Sequence, residues 1–333
     1  MQHKLLQIIQ KPAFKIGFSL FVLLLIFFFL PIDELWESFR RISAEIWIIV
    51  IAAYFGLHFV SAIKWQILVN TGNNKIRLWQ AVRFYSAGLF SNLFLPSLVG
   101  GDVIKAGLAI HSTSEKGATI VGTLLDRLID TSVIVLIIIV AGFLAPDFLN
   151  RTDQHIVYTI TILLFVALLM SVVLVLIPIR KWNRKPYATF FLKVRKAILR
   201  AMSRPYRSLA AFILSFLVQS GLILLSIVLA EGIGIQLPVL LWFLILPLTK
   251  LSTLLPISLG GMGVREVVLA LLLSRVDIVA TQAVALGLLW ETVIIVGGLS
   301  CGVLYFLSNR FSGDKMLSIR QASEAASNVE HAD

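Results

Sequence analysis

Nine ionisable side chains stand inside long apolar stretches: Asp102, Lys105, Asp126, Arg127, Asp130, Lys250, Arg265, Glu266 and Glu291. A charge at bilayer depth costs roughly a few kcal/mol, so it marks either function or internal pairing. With five acids against four bases, pairing is expected. For Asp130 and Lys250, helix-holding ion pairs or a snorkelling lysine explain the charge as well as function does.

Two of the bases occupy matching places. Residues 91–105 read SNLFLPSLVGGDVIK and residues 251–265 read LSTLLPISLGGMGVR. Overlaid without a gap, Leu95, Pro96, Gly100, Gly101 and Lys105 meet Leu255, Pro256, Gly260, Gly261 and Arg265. Proline removes a backbone donor and a glycine pair relaxes φ/ψ, so each copy predicts a broken helix whose polar backbone faces inward. The limb after each break then begins with a helix N-terminus inside the bilayer, where free N–H groups and the dipole favour an anion. Lys105 and Arg265, on the first turn or so of these half-helices, with Gly263 in the second copy, form a two-sided cradle of phosphate size. Asp102 and Glu266 restrain the two bases and keep the empty site near neutral. Gly122, Asp126 and Asp130 follow at i, i+4, i+8 on one helix face, with Arg127 about a quarter-turn away. Gly287 and Glu291 repeat the Gly-x-x-x-acid step. Asp126 and Glu291 are therefore expected to face their hairpins, for charge pairing or proton coupling.

No enzymatic constellation competes. P-loop, His-Glu-x-x-His and Asp-x-Asp-like patterns are missing, and the Gly-x-Ser-x-Gly spacing at residues 298–302 lies inside a long apolar run rather than at a strand-to-helix turn, so it does not indicate a nucleophile. The five histidines are scattered without ligand spacing, and the single Cys301 excludes an internal disulfide and a cysteine metal site. The expectation is no metal, no cofactor and no enzyme. The alternative is a membrane-embedded head-group transferase using Asp126 or Glu291 as base.

The elements that must position these groups are transmembrane. With 58% hydrophobic and 14% charged residues, the chain is too apolar for a soluble fold, where about a quarter would be charged. The net charge of +11 does not indicate nucleic acid. Ten of 29 Lys and Arg fall in residues 180–207, which contain no acid, and most of the others flank apolar runs. That distribution sets topology, and the 180–207 loop is expected to lie on anionic lipid head groups.

Basic flanks place both termini in the cytoplasm. Residues 1–45 form a first transmembrane helix and an outer loop. The apolar run 46–63 then returns to a cytoplasmic basic cluster of Lys64, Lys75, Arg77 and Arg83. Residues 46–145 and 208–307 each read helix, hairpin, helix, in opposite orientation, joined by a transmembrane helix and basic loop in 146–207. Residues 308–333 form a disordered cytoplasmic tail. The fold class is thus an all-α polytopic membrane protein, an inverted-topology repeat with about six full transmembrane helices plus two re-entrant helical hairpins. A rival count makes every limb a crossing, but the limbs after the breaks fall short of the roughly 20 residues a crossing needs.

Residues 92–105 (NLFLPSLVGGDVIK), Asp126-Arg127 and residues 256–266 (PISLGGMGVRE) resemble the membrane region of lysylphosphatidylglycerol synthases and their flippase-like stand-alone relatives. The resemblance spans about residues 14–307. It implies a multi-pass protein of the prokaryotic plasma membrane that moves phospholipid or lipid-linked intermediates between leaflets. The synthases carry a large aminoacyl-transfer domain after this region. Here only a 26-residue tail follows Leu307, so the synthase label is not expected to transfer. The expected partners are a phospholipid or lipid-linked substrate and lipid-synthesis enzymes, with scaffolding of such a complex as a further alternative.

Overall fold

The computed structural model describes residues 32–70, 75–95, 100–113, 115–144, 151–176, 199, 203, 205–253 and 263–311. Among them the chain is all-helical. In order the helices are α1 (Ile32–Arg41), α2 (Ala44–Val69), α3 (Leu78–Asn92), α4 (Gly100–Ile110), α5 (Lys116–Leu144), α6 (Arg151–Leu176), α7 (Pro205–Gly232), α8 (Val239–Ser252), α9 (Val264–Leu273) and α10 (Ala280–Phe311). Four of them, α2, α5, α7 and α10, are long and apolar enough to cross a membrane. The protein is a multi-pass membrane protein.

Local chemistry explains where the helices begin and end. Ser43, in extended conformation, accepts the Ile46 N–H at 3.3 Å, and Glu45 adds a favourable charge to the first turn of α2. From there α2 runs 26 residues, about 39 Å at the helical rise. It stops at Asn70, whose side chain accepts the Ile76 N–H and donates to the Ile76 carbonyl, both at 2.8 Å. Arg207, before the apolar part of α7, donates to the Asn70 carbonyl at 2.7 Å. α9 is entered through Gly263 at φ 84°, a left-handed conformation that glycine adopts without strain.

Packing fixes the directions. Leu68 clusters with Ala211, a Cβ on Gly221 would meet Leu57, and one on Gly232 would meet Ile42, so α2 and α7 are antiparallel neighbours along their length. α5 also opposes α2, because Gly122 in its second turn sits against Leu68 and Val69; a Cβ there would lie 2.7 Å from the Leu68 carbonyl oxygen. Such backbone contact is typical of helices packed in lipid. α3 packs on α4 and α10, while α8 packs on α9 and α5. Ile76, Ala81, Leu108 and Ala109, from the two open ends of the α3–α4 pair, bury in one cluster with Trp65 and Val69 at the end of α2. At the α8–α9 pair, Ile235, Leu241 and Leu273 bury with Ile42 and Val50 near the start of α2.

Three segments differ from the sequence-based expectation. The outer loop after the first span is helical over Ile32–Arg41, where Glu37 and Arg41 pair at i, i+4 and 2.9 Å. α2 continues through Lys64 and ends at Val69 rather than at residue 63. α10 runs to Phe311, four residues past the expected end at 307. The first span, most of the basic loop and the tail beyond 311 lie outside the described residues.

Candidate functional site

The first charged group grows from the α3–α4 pair. A Cβ on Gly88 would lie 2.7 Å from the Gly101 carbonyl oxygen, so glycine allows the two limbs to touch. Asn92 at the end of α3 accepts the Gly101 N–H at 2.8 Å. One donor at the head of α4 is therefore already filled by this chain. Gly100 opens α4, which places Lys105 in the second turn rather than the first. Lys105 is buried; its Nζ donates to Asp126 Oδ2 at 2.8 Å and lies 2.9 Å from Asp102 Oδ1. Tyr85 and Trp65 present ring faces 4.7 and 5.5 Å from the same ammonium.

Lys64 joins this group. It is buried, 3.0 Å from Asp126 Oδ1 and paired also with Asp130, which accepts from Ser215 Oγ at 2.5 Å. Arg127 Nη1 stands 3.6 Å from Asp102 Oδ2. Six charges thus alternate in one chain: Asp130, Lys64, Asp126, Lys105, Asp102, Arg127. Equal numbers of acids and bases keep it neutral, and each inner member has two opposite neighbours, which offsets desolvation better than isolated pairs would.

The second group sits where α9 meets α10. Glu266 reaches back to accept the Gly263 N–H at 2.7 Å, capping its own helix. Its other oxygen lies 2.8 Å from Arg265 Nη2, which also contacts Glu291 Oε2 at 2.5 Å and donates to the Gly287 carbonyl at 3.2 Å. Gly287 keeps α10 close: a Cβ there would stand 3.0 Å from Glu266 Cγ. One guanidinium between two carboxylates leaves a net negative group.

A cavity of about 550 Å³ joins the two groups. Asp102, Lys105, Asp126, Arg127 and Asp130 of the first group and Arg265, Gly287 and Glu291 of the second all line it, with Lys250 and Gln219. Its walls also carry His58, Tyr85 and Trp290. At its edge Phe94, Ile295 and Leu299 line the cavity and are 63%, 41% and 47% exposed. The charged groups share the cavity with buried apolar side chains such as Ile134, Val218, Leu269 and Leu286.

Lys105 and Arg265 therefore share one cavity, but neither is free: a phosphate must compete with Asp102 and Asp126 for the first and with Glu266 and Glu291 for the second. Pro96, Pro256, Gly260 and Gly261 lie outside the described residues. Sequence alone places Lys64 in a cytoplasmic basic cluster, whereas the structure buries it in the charge chain. The apolar run Trp65-Gln-Ile-Leu-Val69 after it was the available signal that the helix continued. Ser215 and Gln219 have no such signal, since single polar residues on apolar helices are common. Among the described residues, no group of three or more His, Cys, Asp or Glu could hold a metal ion.

A family model described as the lysylphosphatidylglycerol synthase TM region matches residues 13–302. No curated protein and no solved structure matches the chain.

Proposed function

The chain belongs to the lysylphosphatidylglycerol synthase transmembrane-region family, and from that premise we propose that it moves an anionic phospholipid or lipid-linked precursor between the leaflets of the prokaryotic plasma membrane. The observation that carries this reading is the cavity, which is lined both by charged groups from the two hairpin pairs and by apolar side chains, among them exposed Phe94, Ile295 and Leu299. A lipid suits that mixed lining, with its head group among the charges and its acyl chains along the apolar side chains.

An inverted repeat gives such a site a way to work. Exchanging α2 with α7, α3 with α8, α4 with α9 and α5 with α10 turns the α3–α10 contact into α8–α5 and the α4–α5 contact into α9–α10, and all four contacts occur. It also maps the antiparallel α2–α7 pair onto itself. At 11 and 10 residues, α4 and α9 reach only about 15–17 Å, half the hydrocarbon thickness, as re-entrant limbs do. Both hairpin pairs bring a basic residue to the cavity, so rocking one repeat against the other would expose the same charges to each leaflet in turn. Lys105 and Arg265 exchange carboxylate for lipid phosphate during the cycle, and the released Asp126 and Glu291 take up the proton or counter-charge.

Reconstitution into liposomes tests the proposal. Labelled lipid that changes leaflet with unaltered mass supports translocation; a changed mass identifies a head-group transferase, and neither effect leaves a scaffold.

A further inference from the structure

Of the cations facing the cavity, one has no carboxylate partner among the described residues. Lys250, in the last turn of α8, is exposed and lines the cavity, and among the described residues its Nζ donates to Gln219 Oε1, at 2.7 Å. Lys105 and Arg265 are each held by two carboxylates. Asp130, which lines the same space, is committed to Lys64 and Ser215. An ammonium whose partner is a neutral amide keeps its charge uncompensated, and an incoming anion supplies the missing counter-charge.

Two further groups point the same way. His58 Nδ1 is buried in the cavity wall without a hydrogen-bond partner among the described residues. Arg127 lines the cavity with its side chain 36% exposed, and among the described residues its contact with a carboxylate is the 3.6 Å one from Nη1 to Asp102. Ammonium, imidazole and guanidinium together are donors suited to the several acceptor oxygens of a phosphate.

We propose that Lys250, with Gln219 orienting it and His58 and Arg127 as further donors, is the resting-state receptor for a phosphate group, and that a lipid phosphodiester is first bound there before Lys105 or Arg265 is reached. This rests on the translocator reading above. It differs from the glycine-break cradle in placing first contact on α8 and α7, where no competing carboxylate must leave.

The test uses the full chain in detergent, titrated calorimetrically with dihexanoyl phosphatidylglycerol, with dihexanoylglycerol, which lacks the phosphate, and with inorganic phosphate. Wild type should bind the phosphodiester and not the phosphate-free lipid. Gln219→Glu sets a carboxylate against Lys250 with almost no change in shape. This variant and Lys250→Met should each weaken phosphodiester binding roughly ten-fold or more, the scale of a lost charged hydrogen bond. Lys250→Arg should retain it, and circular dichroism checks that Gln219→Glu stays folded. Wild-type affinity in Gln219→Glu, or equal binding of the phosphate-free lipid, overturns the assignment. If Lys250→Met also translocates lipid normally in liposomes, only this site is lost and the translocator reading stands. Inorganic phosphate bound as tightly as the lipid, and lost in Gln219→Glu, would keep the anion site and sink the translocator reading.

Discussion

Lys64→Met should be costly, and its cost should be recoverable at one other position. Lys64 has a side-chain exposure of 1% and neutralises both Asp126 and Asp130. Removing one partner of a buried ion pair costs about 3–5 kcal/mol, because the remaining charge is left uncompensated. Here Asp126 keeps Lys105 at 2.8 Å, so the burden falls on Asp130, which retains Ser215 and is 24% exposed. Partial access to water reduces the expected cost to about 2–3 kcal/mol. Asp130→Asn in the same chain removes the orphan charge while leaving an acceptor for Ser215, so the double variant should lie within about 1 kcal/mol of wild type. The coupling energy, with the Asp130→Asn single variant completing the cycle, would then be at least about 1 kcal/mol, measured by unfolding in mixed dodecyl maltoside and SDS micelles followed by circular dichroism. A Lys64→Met cost below about 0.5 kcal/mol, or strictly additive effects, would show that Lys64 is solvated at a membrane rim and refute the six-charge chain.

Other expectations follow from single contacts. Gly122→Ala should destabilise by about 1–3 kcal/mol in the same assay, since the added Cβ would lie 2.7 Å from the Leu68 backbone oxygen and one helix must move. Lys105→Met should abolish lipid translocation while the chain still inserts, as read by leaflet-specific quenching in liposomes. In a Cys301→Ala background, membrane-impermeant thiol reagents should reach Thr113→Cys only from the cytoplasm and Val276→Cys only from outside. Labelling from the opposite face at either position would end the hairpin topology.

The long helices were legible because apolar length and flanking charge report directly on a bilayer, and the end of α5 at Leu144 and the start of α7 at Pro205 fall within three residues of the repeat limits at 145 and 208. Most of the charged site was legible for a related reason: Asp102, Lys105, Asp126, Arg127, Arg265, Glu266 and Glu291 are expensive in lipid wherever the chain bends. What sequence hid was partnership. Lys64 resembles a flanking cytoplasmic charge until α2 is seen to continue beyond it. Asp130 gave equal support to pairing and to function, and its partners Lys64 and Ser215 lie 66 and 85 positions away. At the expected helix-terminus anion sites, Asn92 and Glu266 each take one backbone donor, the Gly101 and Gly263 N–H groups. A side chain's choice to cap is settled by tertiary distance, which motif spacing does not carry. Lys250 and Gln219 meet only because α7 and α8 pack together.

The most direct measurement concerns Arg265, and the structure dictates the variants. Arg265 holds Glu266 and Glu291 together, so replacing Arg265 and Glu266 alone would leave Glu291 uncompensated. The informative set is Arg265→Met and the triple Arg265→Met, Glu266→Gln, Glu291→Gln, in which the amide introduced by Glu266→Gln keeps an acceptor for the Gly263 N–H. Translocation of labelled phospholipid is then measured in liposomes at matched protein content. If Arg265 donates to substrate phosphate, both variants lose translocation, and the triple variant does so while recovering the stability lost by the single one. Wild-type transport by the triple variant would make the Arg265 group a structural ion pair and contradict translocation through this cavity's charges.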